Sequence, residues 1–178
     1  MPIARSLFVE SKKLRVFDFD DTIVKTTSFI YITHKDGKVS KLTPGQYAVY
    51  KERPGDTVDY SDFREVKNPV IIKAYFELLK RFVKSGTSDV YILTARSTYR
   101  PVYDFIKQSG IMGVYVIALN DSNPERKADW IEQQIKDNGY TDVFFIDDSE
   151  ANVQSVRRRL TAYPNVKKKL QTVKSSVL

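Results

Sequence analysis

The sequence has no cysteine, and only one histidine and one tryptophan, among 178 residues. The missing thiols exclude disulfides, thiol catalysis and cysteine-ligated metal, and they fit a reducing compartment. Long apolar runs are missing as well. No stretch approaches the ~20 residues of a membrane span, and residues 1–13 hold no apolar segment of signal-peptide length. The expectation is a soluble, cytoplasmic protein without a membrane partner. No repeat or low-complexity linker interrupts the chain, so a single domain over residues 1–178 is expected. With 42% hydrophobic residues, it can bury a real core.

Acids are missing from one region. Residues 151–178 contain Arg157, Arg158, Arg159, Lys167, Lys168, Lys169 and Lys174 but no Asp or Glu, so they carry the chain's whole net charge of +7. Such an end can attract phosphate-rich partners by counterion release, which makes nucleic acid a candidate partner through residues 157–174. The plainer alternative is a solvated helix face followed by a lysine-rich strand or tail.

What is present is organised around Val16-Phe17-Asp18-Phe19-Asp20-Asp21-Thr22. Leu14, Val16, Phe17 and Phe19 read as a buried strand over residues 14–19, where charge is costly unless something compensates it. Side chains two apart in a strand point the same way, so Asp18 and Asp20 share one face and Phe17 and Phe19 the other. A second apolar run, Val143-Phe144-Phe145-Ile146, leads into Asp147-Asp148-Ser149. Between the two lie Val90-Tyr91-Ile92-Leu93, a strand ending in the Thr94 hydroxyl, and Lys127 at the start of a helix.

In chain order these elements read hhhDxDxT, hhhhT, K, hhhDD, and in this the sequence resembles the haloacid dehalogenase-like (HAD) superfamily of phosphatases and phosphotransferases. The resemblance runs from residue 18 to residue 148, most of the chain. It implies an α/β fold, a Rossmann-like parallel sheet flanked by helices, with a small cap inserted after the first strand. The response-regulator receiver uses similar residue types, but there the acidic pair comes first and a middle strand ends in Asp. Here the pair at 147 and 148 follows the lysine, and the central strand ends in Thr94.

Residues 25–67 do not continue a β/α alternation. Phe29-Ile30-Tyr31-Ile32 before Asp36-Gly37 reads as a hairpin, Thr43-Pro44 as the start of a short helix through Tyr47 and Tyr50, and Arg53-Pro54-Gly55 as its end. This is the cap-like insert, too small to enclose a substrate fully. From Asn68-Pro69 the spacing of Val70, Ile71, Ala74, Tyr75, Leu78, Leu79, Phe82 and Val83 predicts a helix, stopped at Ser85-Gly86. Helices over 101–108, from Asn123-Pro124 to Asn138-Gly139, and over 150–160 alternate with strands over 90–93, 114–119 and 141–146. Residues 166–173 alternate as an edge strand. Strands alternating with helices argue for a parallel sheet covered on both faces, with ligands at the strands' C-termini.

If Asp18, Asp20, Asp147 and Asp148 converge, the pocket collects carboxylates that repel by roughly 4 kcal/mol per pair at 4 Å and an effective dielectric of 20. A cation is then required. Oxygen ligands without His or Cys select a hard ion, so Mg²⁺ is expected, with Mn²⁺ as a substitute. The resemblance implies the roles. Asp18 attacks phosphorus to form an aspartyl-phosphate. Asp20 protonates the leaving oxygen and then activates water. Thr94 binds the phosphoryl oxygens, and Lys127 offsets charge, Arg126 being the alternative. Asp147 and Asp148 hold the metal with Asp18 and the backbone carbonyl of Asp20. Thr22 and Thr94 are expected on the substrate side. Arg96 is expected either at a substrate phosphate or base, or paired with a local acid.

Each residue also has a plain reading. Asp20-Asp21-Thr22 can be a turn with an Asx cap, and Asp147 and Asp148 can cap a helix. His34 is expected on the surface of the hairpin, and Trp130, at helical spacing with Ile131 and Ile135, in the core. The expected activity is Mg²⁺-dependent hydrolysis of a phosphate monoester. The basic end and the lack of room for a larger cap make a nucleotide or polynucleotide end-phosphate a candidate substrate. The alternatives are phosphotransfer to another acceptor, or a nucleic-acid-binding or scaffolding factor with a slow or vestigial site.

Overall fold

A computed structural model describes residues 11–174. Residues 1–10, most of the N-terminal stretch read above as lacking an apolar segment, and residues 175–178 of the basic end lie outside the described residues.

The core is a five-stranded parallel sheet built from β1 (Lys13–Phe17), β7 (Asp89–Thr94), β8 (Val114–Ala118), β9 (Asp142–Asp147) and β10 (Lys167–Thr172). Their order is β10-β9-β1-β7-β8, and every pair is parallel. Alternation along each strand divides the core between two faces. Phe17, Val90, Ile92, Phe144 and Ile146 turn to one side, against Tyr75, Phe76 and Leu79 of α2 (Lys73–Ser85) and Val102 and Ile106 of α3 (Arg100–Gln108). Leu14, Val16, Leu93, Val143 and Phe145 turn to the other, against Ala128, Ile131 and Ile135 of α4 (Pro124–Asn138) and Val153, Val156 and Leu160 of α5 (Glu150–Leu160). This is a Rossmann-like α/β architecture, with β1, β7, β8 and β9 contributing apolar side chains to both layers and the edge strand β10 only Leu170, to the second.

β1 lies at the centre of the sheet; the chain then builds β7 and β8 on one side and crosses back through α4 to place β9 and β10 on the other. The order therefore reverses between β1 and β9. In open α/β sheets, that reversal opens a crevice at the strands' C-terminal ends. Here β1 runs into Asp18, and β9 ends in Asp147.

Residues between β1 and α2 form the insert. Its neck is a two-residue antiparallel ladder of β2 (Val24–Lys25) with β6 (Val70–Ile71). Beyond the neck, β3 (Ile30–Thr33) pairs with β4 (Val39–Leu42) as the expected hairpin, with Gly37 at φ 84, and β5 (Thr57–Asp59) adds a third antiparallel strand. The short helix α1 (Pro44–Ala48) starts at a Thr43 capping box, its hydroxyl accepting from the Gln46 N–H while the Gln46 side chain accepts from the Thr43 N–H.

Several expectations need correction. The helix expected from Asn68-Pro69 begins at Lys73. Asn68 has φ 44, Val70 and Ile71 are strand residues and exposed, and the Ile72 N–H donates to the Ile23 carbonyl. Pairing with β2 therefore satisfies backbone groups that the helix would have used. The first strand stops at Phe17, and the helix expected through Tyr50 ends at Ala48. His34 is half-buried, its ring between Asp56 (2.8 Å) and Ser40 (2.7 Å), and so is part of the insert's polar interior. Trp130 packs against the second core layer as expected, edge-on to Tyr91 with centroids 5.0 Å apart. Among the described residues, no helix is long and apolar enough to cross a membrane.

Candidate active site

Asp18 follows the last residue of β1, and its N–H donates to the Ile146 carbonyl at 2.9 Å, continuing the ladder with β9. Buried at the centre of the sheet, its carboxylate accepts from the Thr22 hydroxyl at 3.0 Å and the Lys127 ammonium at 2.7 Å. The segment after it turns tightly. Thr22, Ile23 and Val24 N–H groups all donate to the Phe19 carbonyl, and Asp21 takes φ 59, a conformation Asp tolerates better than most residues. That turn brings Thr22 back beneath Asp18.

Lys127 lies in the first turn of α4, where a cation is mildly disfavoured by the helix dipole. Two carboxylates override that. Its Nζ is 2.6 Å from Asp147 as well as 2.7 Å from Asp18, and the residue is buried. Burial alone draws an ammonium down, but Asp147 and Asp18 together hold Lys127 above the usual lysine range. Arg126, the alternative in the sequence, faces outward to Asp121 and Asp129.

Asp147 is held from three sides, its Oδ1 by the Ser149 N–H at 2.9 Å and its Oδ2 by Lys127 and the Asn152 amide at 2.9 Å. The N-cap of α5 is Ser149 rather than either aspartate, its hydroxyl accepting from the Asn152 N–H. Ser149 and Asn152 are contacts that the sequence pattern alone does not reveal, since a serine and an asparagine after an acidic pair look like ordinary capping residues.

Asp148 completes the group. One oxygen from each of Asp18, Asp147 and Asp148 lies within 4.8 Å of the others, an arrangement that could hold a metal ion. The Lys127 ammonium contacts two of these three carboxylates, Asp18 and Asp147. Burial, then Asp147, pushes Asp18 up to about 7 despite Lys127, and burial, then Asp18 and Asp147, pushes Asp148 up to about 9. The donor set is all carboxylate and short of positive charge, which fits a hard divalent cation.

Asp20 stands apart from this group. Its carboxylate meets Arg96 in two parallel hydrogen bonds, Nε to Oδ2 at 2.9 Å and Nη2 to Oδ1 at 2.8 Å. Of the two expectations for Arg96, the structure shows the pairing with a local acid. The remaining nitrogen, Nη1, donates to the carbonyls of Phe63 (3.0 Å) and Glu65 (2.8 Å) in the insert, and the guanidinium lies 5.5 Å from the Phe19 ring and 5.1 Å from that of Phe63. Thr94 is buried at the end of β7 beside β1; its Oγ1 accepts the Arg96 N–H at 3.2 Å, leaving its own proton to donate.

The basic end is only partly outward-facing. Arg159 bridges Glu125, Asp129 and Glu132 on α4, Arg158 reaches Glu125, and Lys168 donates to the carbonyls of Leu160 and Tyr163. Arg157, Lys167, Lys169 and Lys174 are exposed.

The site thus presents a buried carboxylate held by a hydroxyl and an ammonium, two further acids at and just past the end of the neighbouring strand, a hydroxyl at the next strand end, and a separately anchored fourth carboxylate. Such a set can bind a cation, offer an oxygen nucleophile and move a proton. Comparison with known families, curated proteins and solved structures gives no match.

Proposed function

We propose that the chain is a Mg²⁺-dependent phosphatase of the HAD type, hydrolysing a phosphate monoester through an aspartyl-phosphate. The observation that carries this reading is the placement of Lys127 between Asp18 and Asp147, with Asp148 beside them, at the reversal point of the sheet. Charges this close and this buried are poor for stability, and they make sense as chemistry.

In this reading an Asp18 oxygen attacks phosphorus while the bond to the leaving oxygen breaks. Asp20, paired with Arg96 in the substrate-free site, enters this step protonated and gives that oxygen its proton. Water then attacks the acyl phosphate, losing its proton to Asp20, and inorganic phosphate departs with Asp18 restored. Thr94 donates to the phosphoryl oxygens, and Thr22 and Lys127 hold Asp18 in place and balance its charge. Asp18, Asp147, Asp148 and the Asp20 carbonyl would hold Mg²⁺, which when bound supplies positive charge to the phosphoryl oxygens. The insert would act as a small cap, admitting substrates that project into solvent.

The test is phosphate release from aryl, sugar, nucleoside and oligonucleotide phosphates with Mg²⁺ or EDTA, with Asp18→Asn beside the parent. Release that needs Mg²⁺ and disappears in the variant is expected. Release that survives the substitution, or none from any compound, overturns the reading.

A further inference from the structure

Arg96 is almost wholly buried, yet none of its polar contacts is to the Asp18 group. Its guanidinium joins two parts of the molecule that the chain keeps separate: the carboxylate just after β1, and the return segment of the insert at Phe63 and Glu65. We propose that Arg96 is a positioning residue that makes the seating of the insert and the placement of the Asp20 carboxylate a single event. The proposal rests on the phosphatase reading for its catalytic consequence, and on geometry alone for the link itself.

The geometry makes the coupling two-way. A guanidinium is planar and rigid, so its two faces of donors cannot be aimed independently. With Nε and Nη2 fixed on Asp20, Nη1 is directed at the two carbonyls. Phe19 and Phe63 flank the guanidinium within 5.5 Å, so the charge is shielded from water on those sides. If the segment 61–67 lifts away, two carbonyl partners of a buried cation are lost, and Arg96 must move or rehydrate. Either change frees the Asp20 carboxylate from its fixed pose. Conversely, weakening the Asp20 end loosens what holds the insert down. A substrate that seats the insert thereby also sets the acid.

The chemical consequence is selective. Asp20 matters most where the leaving oxygen is a poor leaving group that needs a proton, as in an alkyl or sugar phosphate, and least for a nitrophenyl phosphate whose anion leaves unaided. Both substrate classes share the later hydrolysis of the aspartyl-phosphate, so the readout is kcat/KM, which reports phosphoryl transfer to Asp18. Arg96→Lys keeps the positive charge but loses the two-point grip, and should lower kcat/KM for alkyl phosphates by roughly tenfold to a hundredfold, less than the ~10²–10⁴-fold that a general acid contributes in full. Nitrophenyl phosphate should change little in kcat/KM, and Asp20→Ala should show the same selectivity. Equal lowering of kcat/KM for both substrate classes by Arg96→Lys, or no lowering for either, overturns the catalytic role.

Amide hydrogen exchange over residues 61–67 tests the link without turnover. Asp20→Asn, which preserves shape and removes the charge, should speed exchange there, as should Arg96→Lys. An unchanged rate in Asp20→Asn overturns the coupling. A parent protein with no Mg²⁺-dependent phosphate release overturns the phosphatase reading and the catalytic role that rests on it, while the exchange result still decides the link.

Discussion

Lys127 donates to Asp147 at 2.6 Å in a contact where neither side chain is more than 4% exposed. The same ammonium serves Asp18, so removing it leaves two carboxylates facing each other in a buried site. Breaking a buried pair by deleting one partner usually costs about 3–5 kcal/mol. Lys127→Met should therefore lower unfolding stability in EDTA by about 3 kcal/mol. Urea denaturation with and without Mg²⁺ checks this; a variant as stable as the parent in EDTA would contradict it.

The pH dependence of the metal-free protein follows from Asp18 and Asp148. Both are raised above the usual carboxylate value of 3.8, to about 7 and about 9. The folded state therefore binds more protons than the unfolded state between those limits, and stability falls as pH rises. Thermal unfolding in EDTA should show a declining Tm from about pH 4 to about pH 9, the fall lessening past 7 as Asp18 completes its titration. A bound divalent cation favours the charged carboxylates, so Mg²⁺ should flatten the curve.

Asp148→Asn isolates the same effect. The substitution mimics the protonated form that burial and its neighbours favour. In EDTA at neutral pH the variant should be as stable as the parent or more so, and it should lose most of the stabilisation Mg²⁺ gives the parent, which is about 2.7 kcal/mol at a hundredfold excess over Kd. A variant that keeps the full Mg²⁺-induced rise in Tm would remove Asp148 from the metal site.

Asp56 organises the far side of the insert, accepting from Tyr50 (2.6 Å), the Arg53 N–H (2.8 Å) and His34 (2.8 Å). The Tyr50 hydroxyl and the Arg53 N–H hold its carboxyl down to about 2, with His34 adding to them. A depressed value stabilises the fold above the unfolded value of 3.8 and is lost as pH falls through about 2. Asp56→Ala should raise hydrogen exchange in β3, β4 and β5 at neutral pH, leaving the five-stranded sheet protected. Equal loss of protection in the sheet would show that the insert does not open by itself.

Arg159 clamps α5 to α4 through Glu125, Asp129 and Glu132 and is about a quarter exposed. Exposed ion pairs contribute little singly, and a network about 1 kcal/mol. Arg159→Ala should lower Tm by about 2–4 °C for a chain of this size and leave phosphate release unchanged. Loss of activity without a stability change would place Arg159 at the substrate instead.

The sequence by itself determined the sheet and which acids would gather in the candidate site. The unbroken apolar run Val143-Phe144-Phe145-Ile146 marks a strand buried on both faces, and the structure divides it between two core layers because neighbouring side chains in a strand point to opposite faces. Acids and hydroxyls at strand ends had to gather on one edge once the strands were parallel, and Asp18, Asp147 and Asp148 do. Local chemistry was legible too, as at the Thr43 capping box.

Tertiary structure decided the rest. Periodicity places Val70 and Ile71 on a helix, but hydrogen bonds to β2, far back in the chain, are the ones they make. The strand rule puts Asp20 on the same face as Asp18, yet the chain leaves the strand at Phe17 and turns, and Asp20 meets Arg96 76 residues away. A guanidinium's choice between a ligand and an internal carboxylate depends on which lies within reach when buried. Only the folded chain sets that distance.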